Sequence, residues 1–134
     1  MQFAVGVIGV GNMGAALVRG IIDQGTVSAQ SVIVCDLDQD LVGRICDDMG
    51  VVDGTEATHV AGSADLVVLA AKPQNLPSLL SEISPSINAN QTIMSIAAGV
   101  TTQSIEESLG GQPSVIRVMP NLPALVGEGI SVIC

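Results

Sequence analysis

Short runs of β-branched and other apolar residues recur along the chain, and most of them are bounded by Gly, Pro, Asn or Asp. One of these runs, Leu66–Ala71, contains no polar residue, which is typical of a parallel strand covered on both faces. The runs predict seven strands: Ala4–Ile8, Val32–Cys35, Val51–Val52, Leu66–Ala71, Thr92–Ile96, Ser114–Val118 and Ile130–Cys134.

Segments between these runs carry apolar residues at helical spacing. They predict four helices: Asn12–Gln24, Leu37–Met49, Pro77–Ile83 and Thr102–Leu109. In the last helix, Thr102 is expected to be the capping residue. Alternating strands and helices predict an α/β fold, a doubly wound parallel sheet of the Rossmann type with three α/β/α layers. A chain of 134 residues is expected to form one such domain, residues 1–134.

A Gly-x-Gly-x-x-Gly motif, Gly9 to Gly14, directly follows the first predicted strand and opens the first predicted helix. In that context Gly9 permits a tight turn, Gly11 lets backbone N–H groups approach a pyrophosphate, and Gly14 lets the helix pack on the strand. Phosphates would then lie at the positive end of the helix dipole. The motif predicts a site for NAD or NADP.

Asp36 follows the second predicted strand, 22 residues after Gly14. An acid at this place is expected to accept hydrogen bonds from the adenosine ribose hydroxyls. Asp36 could instead cap the next helix, and Asp38 competes for either role. Because Asp36 would face the 2′-phosphate of NADPH, we expect NADH to be favoured over NADPH.

Three further segments follow strands at the edge where open parallel sheets bind ligands. Lys72, the only lysine of the chain, follows Ala71 and would contact a phosphate or a ribose. Small side chains in the segment Ser95–Gly99 would let a nicotinamide ring lie flat against the backbone. The segment Met119–Pro123 ends the sixth predicted strand.

Thirteen acidic residues against four basic ones give a net charge of −9. This charge disfavours nucleic acids and anionic membranes as partners, since both are polyanions. A dinucleotide must then be held by local backbone donors. Phe3 is the only aromatic residue, so adenine is expected to lie between aliphatic side chains.

The apolar first 22 residues are not expected to be a signal or membrane segment, because glycines and Arg19 interrupt them. Cys35, Cys46 and Cys134 lack zinc-type spacing and are interpreted as inert thiols of a cytoplasmic protein. No metal site is predicted. His59 is interpreted as a surface or capping residue, and Arg117 as a member of a structural ion pair.

Four stretches in order along the chain resemble pyrroline-5-carboxylate reductases, which reduce a cyclic imine to L-proline in proline biosynthesis. The Lys-Pro, Ala-Ala-Gly-Val-Thr and Arg-x-Met-Pro-Asn elements are together specific, and the resemblance covers nearly the whole chain. The stretches are Val7–Gly14, Leu69–Gln74, Ser95–Thr101 and Val115–Asn121.

This resemblance implies an oxidoreductase that uses NAD(P)H and a small imine substrate. It implies pyrophosphate binding by the first stretch, ribose and phosphate binding on the nicotinamide side by the second, and nicotinamide binding by the third. The implied cofactor-binding residues, together with Asp36, are Ile8, Gly9, Val10, Gly11, Asn12, Met13, Gly14, Ala70, Ala71, Lys72, Pro73, Ile96, Ala97 and Ala98.

The chain departs from the family pattern in two respects. Many members carry Ser, or Asn followed by Arg, at the place of Cys35-Asp36. Members also continue into a helical domain that forms a homo-oligomer and supplies most of the imine site, and we expect that domain to be absent from these 134 residues. No residue is assigned as proton donor, and the chain alone is expected to be inactive. The alternatives are the first domain of another dehydrogenase, such as a β-hydroxyacid dehydrogenase, and a non-catalytic dinucleotide-binding fragment.

Overall fold

A seven-stranded sheet forms the centre of the computed structural model, which describes residues 2–119 and 132–133. The strand order is β3-β2-β1-β4-β5-β6-β7, with β1 to β6 parallel and β7 antiparallel to β6. The strands are β1 (Phe3–Ile8), β2 (Val32–Cys35), β3 (Val52–Asp53), β4 (Ala64–Leu69), β5 (Thr92–Ser95), β6 (Ser114–Met119) and β7 (Val132–Ile133).

Helices cover both faces of this sheet. They are α1 (Asn12–Asp23), α2 (Gln39–Met49), α3 (Ala57–Ser63), α4 (Leu76–Ile83) and α5 (Thr102–Ser108). Val18 of α1 and Ile45 of α2 belong to one apolar core. Val60 of α3, Leu80 of α4 and Ile105 of α5 belong to the other. The predicted three-layer, doubly wound fold is therefore confirmed, with an antiparallel strand added at one edge.

Helix α3 was not predicted from the sequence. Its seven residues include His59 and Gly62, which have low helix propensity, and they are too few to show a clear apolar period. Tertiary packing holds the helix instead, because Val60 and Ala61 are fully buried against the sheet.

Capping side chains set the helix starts, and they correct two predictions. Asp38 precedes α2 and its carboxylate accepts a hydrogen bond from the Leu41 N–H at 3.1 Å, so Leu37 lies outside the helix and is 94% exposed. At α5 the cap is Thr101 rather than Thr102, since the Thr101 hydroxyl accepts from the Ser104 N–H.

Strand β4 also differs from the prediction, since it covers Ala64–Leu69 rather than Leu66–Ala71. After Leu69 the backbone of Ala70 and Ala71 lies against the turn that follows β1. Of the predicted strand Ile130–Cys134, the structure describes only the backbone of Val132–Ile133.

Contact between α1 and the turn that precedes it requires glycine at position 14. A Cβ atom placed there would overlap the carbonyl oxygen of Gly9, far inside any van der Waals contact. Gly20, on the same helix, faces open space, since a Cβ would meet nothing within 4 Å. The first turn of α1 therefore depends on a missing methyl group at Gly14.

Within the described ranges, no helix is both long and apolar enough to cross a membrane.

Cys35 lies at the end of β2 and is 3% exposed, and it forms no disulfide. Burial, followed by the negative charge of Asp36, raises the pKa of the Cys35 thiol from 9.0 to about 12. Burial also raises the pKa of Cys46, which is only partly buried. Cys134 lies outside the described residues.

We predict that Gly14→Ala destabilises the fold by more than about 2 kcal/mol, because backbone atoms must move to accommodate the methyl group. The matched variant Gly20→Ala should instead stabilise it by about 0.5–1 kcal/mol, since alanine favours the helix. Urea unfolding followed by circular dichroism measures both, as the chain has no Trp or Tyr. Equal stability of the two variants would contradict the close contact at Gly14.

We predict that Cys35 resists alkylation in the folded protein at pH 8. The reactive species is the thiolate, and a pKa of about 12 lowers its population about a thousandfold relative to a thiol of pKa 9.0. Peptide mapping by mass spectrometry after timed iodoacetamide treatment compares Cys35 with the partly buried Cys46 and with the urea-unfolded chain. Alkylation of Cys35 as fast as that of Cys46 would show that the end of β2 is open to solvent.

Candidate functional site

The carboxyl ends of β1, β2, β4 and β5 lie side by side and bring three predicted segments to one edge of the sheet. The Gly9 N–H donates to the Cys35 carbonyl oxygen at 2.9 Å, and the Ala70 N–H donates to Ile8 at 2.8 Å. The Ile96 N–H donates to the Leu69 carbonyl oxygen at 3.2 Å. The glycine turn, the Ala70–Pro73 segment and the Ile96–Ala98 segment are thus neighbours.

Gly9 allows the turn after β1 to touch the segment after β4. Its φ of +99° belongs to the left-handed region, which side chains rarely adopt. A Cβ at this position would lie 2.7–2.8 Å from backbone atoms of Ala70 and Ala71. The tight turn expected at Gly9 is present.

The start of α1 presents free backbone donors to the same edge. In any α-helix the first backbone N–H groups lack intrahelical acceptors. In α1 these are the N–H groups of Asn12, Met13 and Gly14. No side chain caps α1, since its N-cap residue is Gly11. The positive end of the helix dipole adds to these donors, so the arrangement suits an anion.

Gly11 differs from the other two glycines of the motif because its surroundings are open. A Cβ at Gly11 would meet nothing within 4 Å, and its φ of −65° is accessible to every residue type. No packing within the described protein therefore requires glycine here. The open space lies where the sequence motif places a pyrophosphate.

The Asp36 carboxylate binds the glycine turn. One oxygen accepts from the Val10 N–H at 2.8 Å, and the other accepts from the Asp38 N–H at 2.9 Å. Asp38, not Asp36, caps α2 through the bond to Leu41. The side chain of Gln39 also donates to the Asp36 carbonyl oxygen at 2.9 Å. Asp36 is thus held half-buried beside the turn, and the Val10 N–H is already engaged by it.

The segment after β4 presents its polar groups to solvent. Lys72 and Pro73 are exposed, whereas Ala70 and Ala71 are half-buried. The Lys72 carbonyl oxygen accepts from the Asn75 N–H at 2.9 Å, which fixes the backbone of this segment in a 3-10 turn over Pro73–Asn75. The Lys72 ammonium forms no ion pair with the described residues.

The segment after β5 has a buried and an exposed part. Ala97 is 5% exposed and its N–H donates to the Ser95 hydroxyl at 3.3 Å. Ile96 is half-buried and Ala98 is exposed. At this edge of the sheet, the segment after β5 therefore exposes the small residues Ala98 and Gly99.

Of two other residues considered from the sequence, His59 lies away from this edge, whereas Arg117 lies on β6 beside Ser95, the last residue of β5. His59 is on α3, where Nδ1 donates to the Gly54 carbonyl oxygen at 3.0 Å, so it caps the turn that follows β3. Arg117 forms no ion pair with the described residues, contrary to the prediction; its Nε is buried without a hydrogen-bond partner. The predicted strand-end segment beyond Met119 lies outside the described residues.

A cavity of about 520 Å³ adjoins the glycine turn, between α1 and α2. This cavity could not be predicted from the sequence, because the distance between two helices is a tertiary feature. The helical spacing of Leu41, Arg44, Ile45 and Asp48 does indicate one common face of α2. Its lining residues are Val10, Gly11, Asn12, Ala15, Ala16, Arg19, Leu41, Arg44, Ile45, Asp48 and Met49.

Among the residues that the structure describes, no three His, Cys, Asp or Glu side chains come together as possible metal ligands.

Known proteins share this chain's sequence and architecture. The pyrroline-5-carboxylate reductase of Escherichia coli strain K12 is 39% identical over 131 residues, which cover 98% of this chain and 49% of that protein. The structure of a pyrroline-5-carboxylate reductase from Coxiella burnetii superposes with a TM-score of 0.91 at 30% identity, covering 99% of this chain and 49% of that one.

A third similar protein was crystallised with its cofactor. The structure of Plasmodium falciparum pyrroline carboxylate reductase with NADP bound has a TM-score of 0.85 at 27% identity, and the match covers 100% of this chain and 48% of that one. The chain thus spans about half the length of these relatives.

The resemblance to pyrroline-5-carboxylate reductases is therefore confirmed. A family model described as NADP oxidoreductase, coenzyme F420-dependent, matches residues 4–99, which is more than half of the chain. Together with the Rossmann-type sheet and its glycine turn, this match shows that the chain belongs to the family of NADP oxidoreductases described as coenzyme F420-dependent.

Proposed function

We propose that this chain is the dinucleotide-binding part of a pyrroline-5-carboxylate reductase, which reduces 1-pyrroline-5-carboxylate to L-proline with NAD(P)H. The observation that carries the proposal is the juxtaposition of free amide donors at the start of α1 with the Asp36 carboxylate at the end of β2. The 39% identity to the E. coli reductase supports the choice of substrate.

The residues present fit a dinucleotide. The pyrophosphate would bind along the backbone from Ile8 to Gly14, where the amides of Asn12, Met13 and Gly14 are free of helical acceptors. Asp36 would accept hydrogen bonds from the adenosine ribose with the lone pairs that Val10 and Asp38 leave free.

On the other half of the cofactor, the segment Ala70–Pro73 would contact the nicotinamide-side ribose and phosphate. Lys72 is the exposed cation of that segment. The segment Ile96–Ala98 would support the nicotinamide ring.

When bound, the reduced nicotinamide supplies a hydride to the imine carbon, and the imine nitrogen gains a proton. The task of this chain is to hold the cofactor and to present one face of the ring. We propose that a helical part beyond this domain completes the imine site and the homo-oligomer. No described residue is assigned as the proton donor.

We also propose that NADH is favoured over NADPH. Asp36 is fixed beside the turn by two hydrogen bonds, and Asp38 and Asp40 follow it closely. The segment 37–40 contains no Arg or Lys that could offset these charges. A phosphate on the ribose 2′ position would therefore approach a carboxylate that cannot move away.

We expect NADPH to bind more weakly than NADH by about 5- to 1,000-fold, because two like charges about 4 Å apart repel by roughly 1 kcal/mol in water and roughly 4 near a protein surface. Asp36→Asn should narrow this difference while still accepting the Val10 hydrogen bond. Calorimetric titration measures both dissociation constants. Equal constants in the unsubstituted chain would contradict the preference.

We expect Gly11→Val to weaken NADH binding by well over tenfold without unfolding the protein. The valine side chain would fill the open space at the turn, whereas no described atom clashes with its Cβ. Gly20→Val, on the same helix and also facing open space, serves as the matched control and should bind NADH normally. Unchanged affinity in folded Gly11→Val would mean that the pyrophosphate binds elsewhere.

We expect the 134-residue chain to bind NADH but to make proline at well below about 1 s⁻¹, the lower end of usual enzymatic rates. Holding the imine carbon about 3–3.5 Å from the nicotinamide supplies roughly 7–11 kcal/mol of the barrier, and an open edge forfeits most of it. Fusion to the helical part of a related reductase should restore turnover. If the folded fusion bound NADH but formed no proline, that result would contradict the proposed substrate.

A further inference from the structure

The lining of the cavity between α1 and α2 combines apolar side chains with two cations. Leu41, Ile45 and Met49 contribute apolar lining, and Arg19 and Arg44 contribute the positive charges. Arg19 is paired with Asp48 in a salt bridge. Arg44 is exposed and forms no ion pair or hydrogen bond with its side chain in the described part of the chain. The cavity therefore has one cation without a counter-ion.

The cavity also adjoins the group that would hold the adenosine ribose. Val10 lines it, and the N–H of Val10 donates to the Asp36 carboxylate at 2.8 Å. Long side chains on a helix lean toward its N-terminus, which on α2 is the end next to Asp36. A substituent that extends from a ribose bound to Asp36 would thus enter the cavity on the side toward which Arg44 leans.

Arg44 has no ion-pair partner among the described residues although the chain is rich in acidic residues, which makes this arginine informative. The sequence has four basic residues against thirteen acidic ones, so partners for an arginine are abundant. Arg44 nevertheless stays unpaired in the cavity that Gly11 and Asn12 also line. A guanidinium in such a position matches the geometry of a phosphomonoester, which it can bind through two parallel hydrogen bonds.

We propose that Arg44 is a specificity-determining residue that binds the 2′-phosphate of NADPH in the cavity between α1 and α2. The inference rests on the proposed dinucleotide site and deepens it. The choice between the two cofactors then depends on opposing charges: Asp36 repels the 2′-phosphate from one side, and Arg44 attracts it from the other. NADH, which lacks this phosphate, does not depend on Arg44.

The test is calorimetric titration of NADPH and NADH into the unsubstituted chain, Arg44→Gln and Arg44→Lys. We expect Arg44→Gln to weaken NADPH binding by about five- to twentyfold. This loss lies between the loss expected on removing an exposed ion pair and the loss expected on removing a charge-assisted hydrogen bond. NADH binding should change by less than about twofold. Arg44→Lys should recover most of this lost affinity for NADPH. In the unsubstituted chain we expect NADPH binding to depend more steeply on salt concentration than NADH binding does, and this difference should disappear in Arg44→Gln.

A matched control removes both members of the neighbouring ion pair. The double variant Arg19→Gln, Asp48→Asn alters the same cavity without changing the net charge, and it should leave the ratio of the two dissociation constants unchanged within about twofold.

Three results would overturn the role of Arg44 while leaving the dinucleotide site intact, since NADH binds in each. They are unchanged NADPH affinity in Arg44→Gln, equal weakening of both cofactors, and NADPH binding too weak to measure in the unsubstituted chain. Failure of the unsubstituted chain to bind either cofactor would instead overturn the proposed function together with this inference.

Discussion

Two backbone contacts at the start of α1, both of which require glycine, determine how the rest of the site is arranged. Gly9 places the turn after β1 directly against the backbone of Ala70 and Ala71, and Gly14 places the first turn of α1 directly against the Gly9 carbonyl oxygen. A side chain at either position would overlap backbone atoms, which cannot rotate away. The helix can therefore start only where it does, with its free amide groups at the carboxyl edge of the sheet.

One backbone N–H group at this turn binds a protein acceptor, and others are free to bind a ligand. Asp36, 26 residues away in sequence, accepts the Val10 N–H and so ties the end of β2 to the turn. The amides of Asn12 to Gly14 have no such acceptor. Because the sheet holds β2 beside β1 through pairs such as Ile8 and Cys35, the carboxylate and the free amides keep a fixed separation. A rigid arrangement of this kind lowers the entropic cost of ordering a long, flexible cofactor.

Much of this fold could be predicted from the sequence, because a buried parallel strand is a continuous apolar run. The runs around Val7, Val34 and Val68 identified the central strands, and the glycine spacing identified the turn. The start of α2 and the cap of α5 were less accurate, since neighbouring Asp and Thr residues compete as caps and only the folded backbone selects among them. Short α3 depends on burial of Val60, and the cavity beside Arg44 depends on the spacing of two helices, so neither has a local signal.

We propose that the dinucleotide binds at the glycine turn that is tied to Asp36. Amide NMR spectra of the ¹⁵N-labelled chain, recorded during titration with NADH, test this binding site residue by residue. We expect the largest shifts at Gly11 to Gly14, with smaller ones at Asp36, in the segment Ala70–Lys72 and in the segment Ile96–Ala98. Shifts concentrated on α5 and β6, with the amides of the glycine turn unmoved, would contradict it.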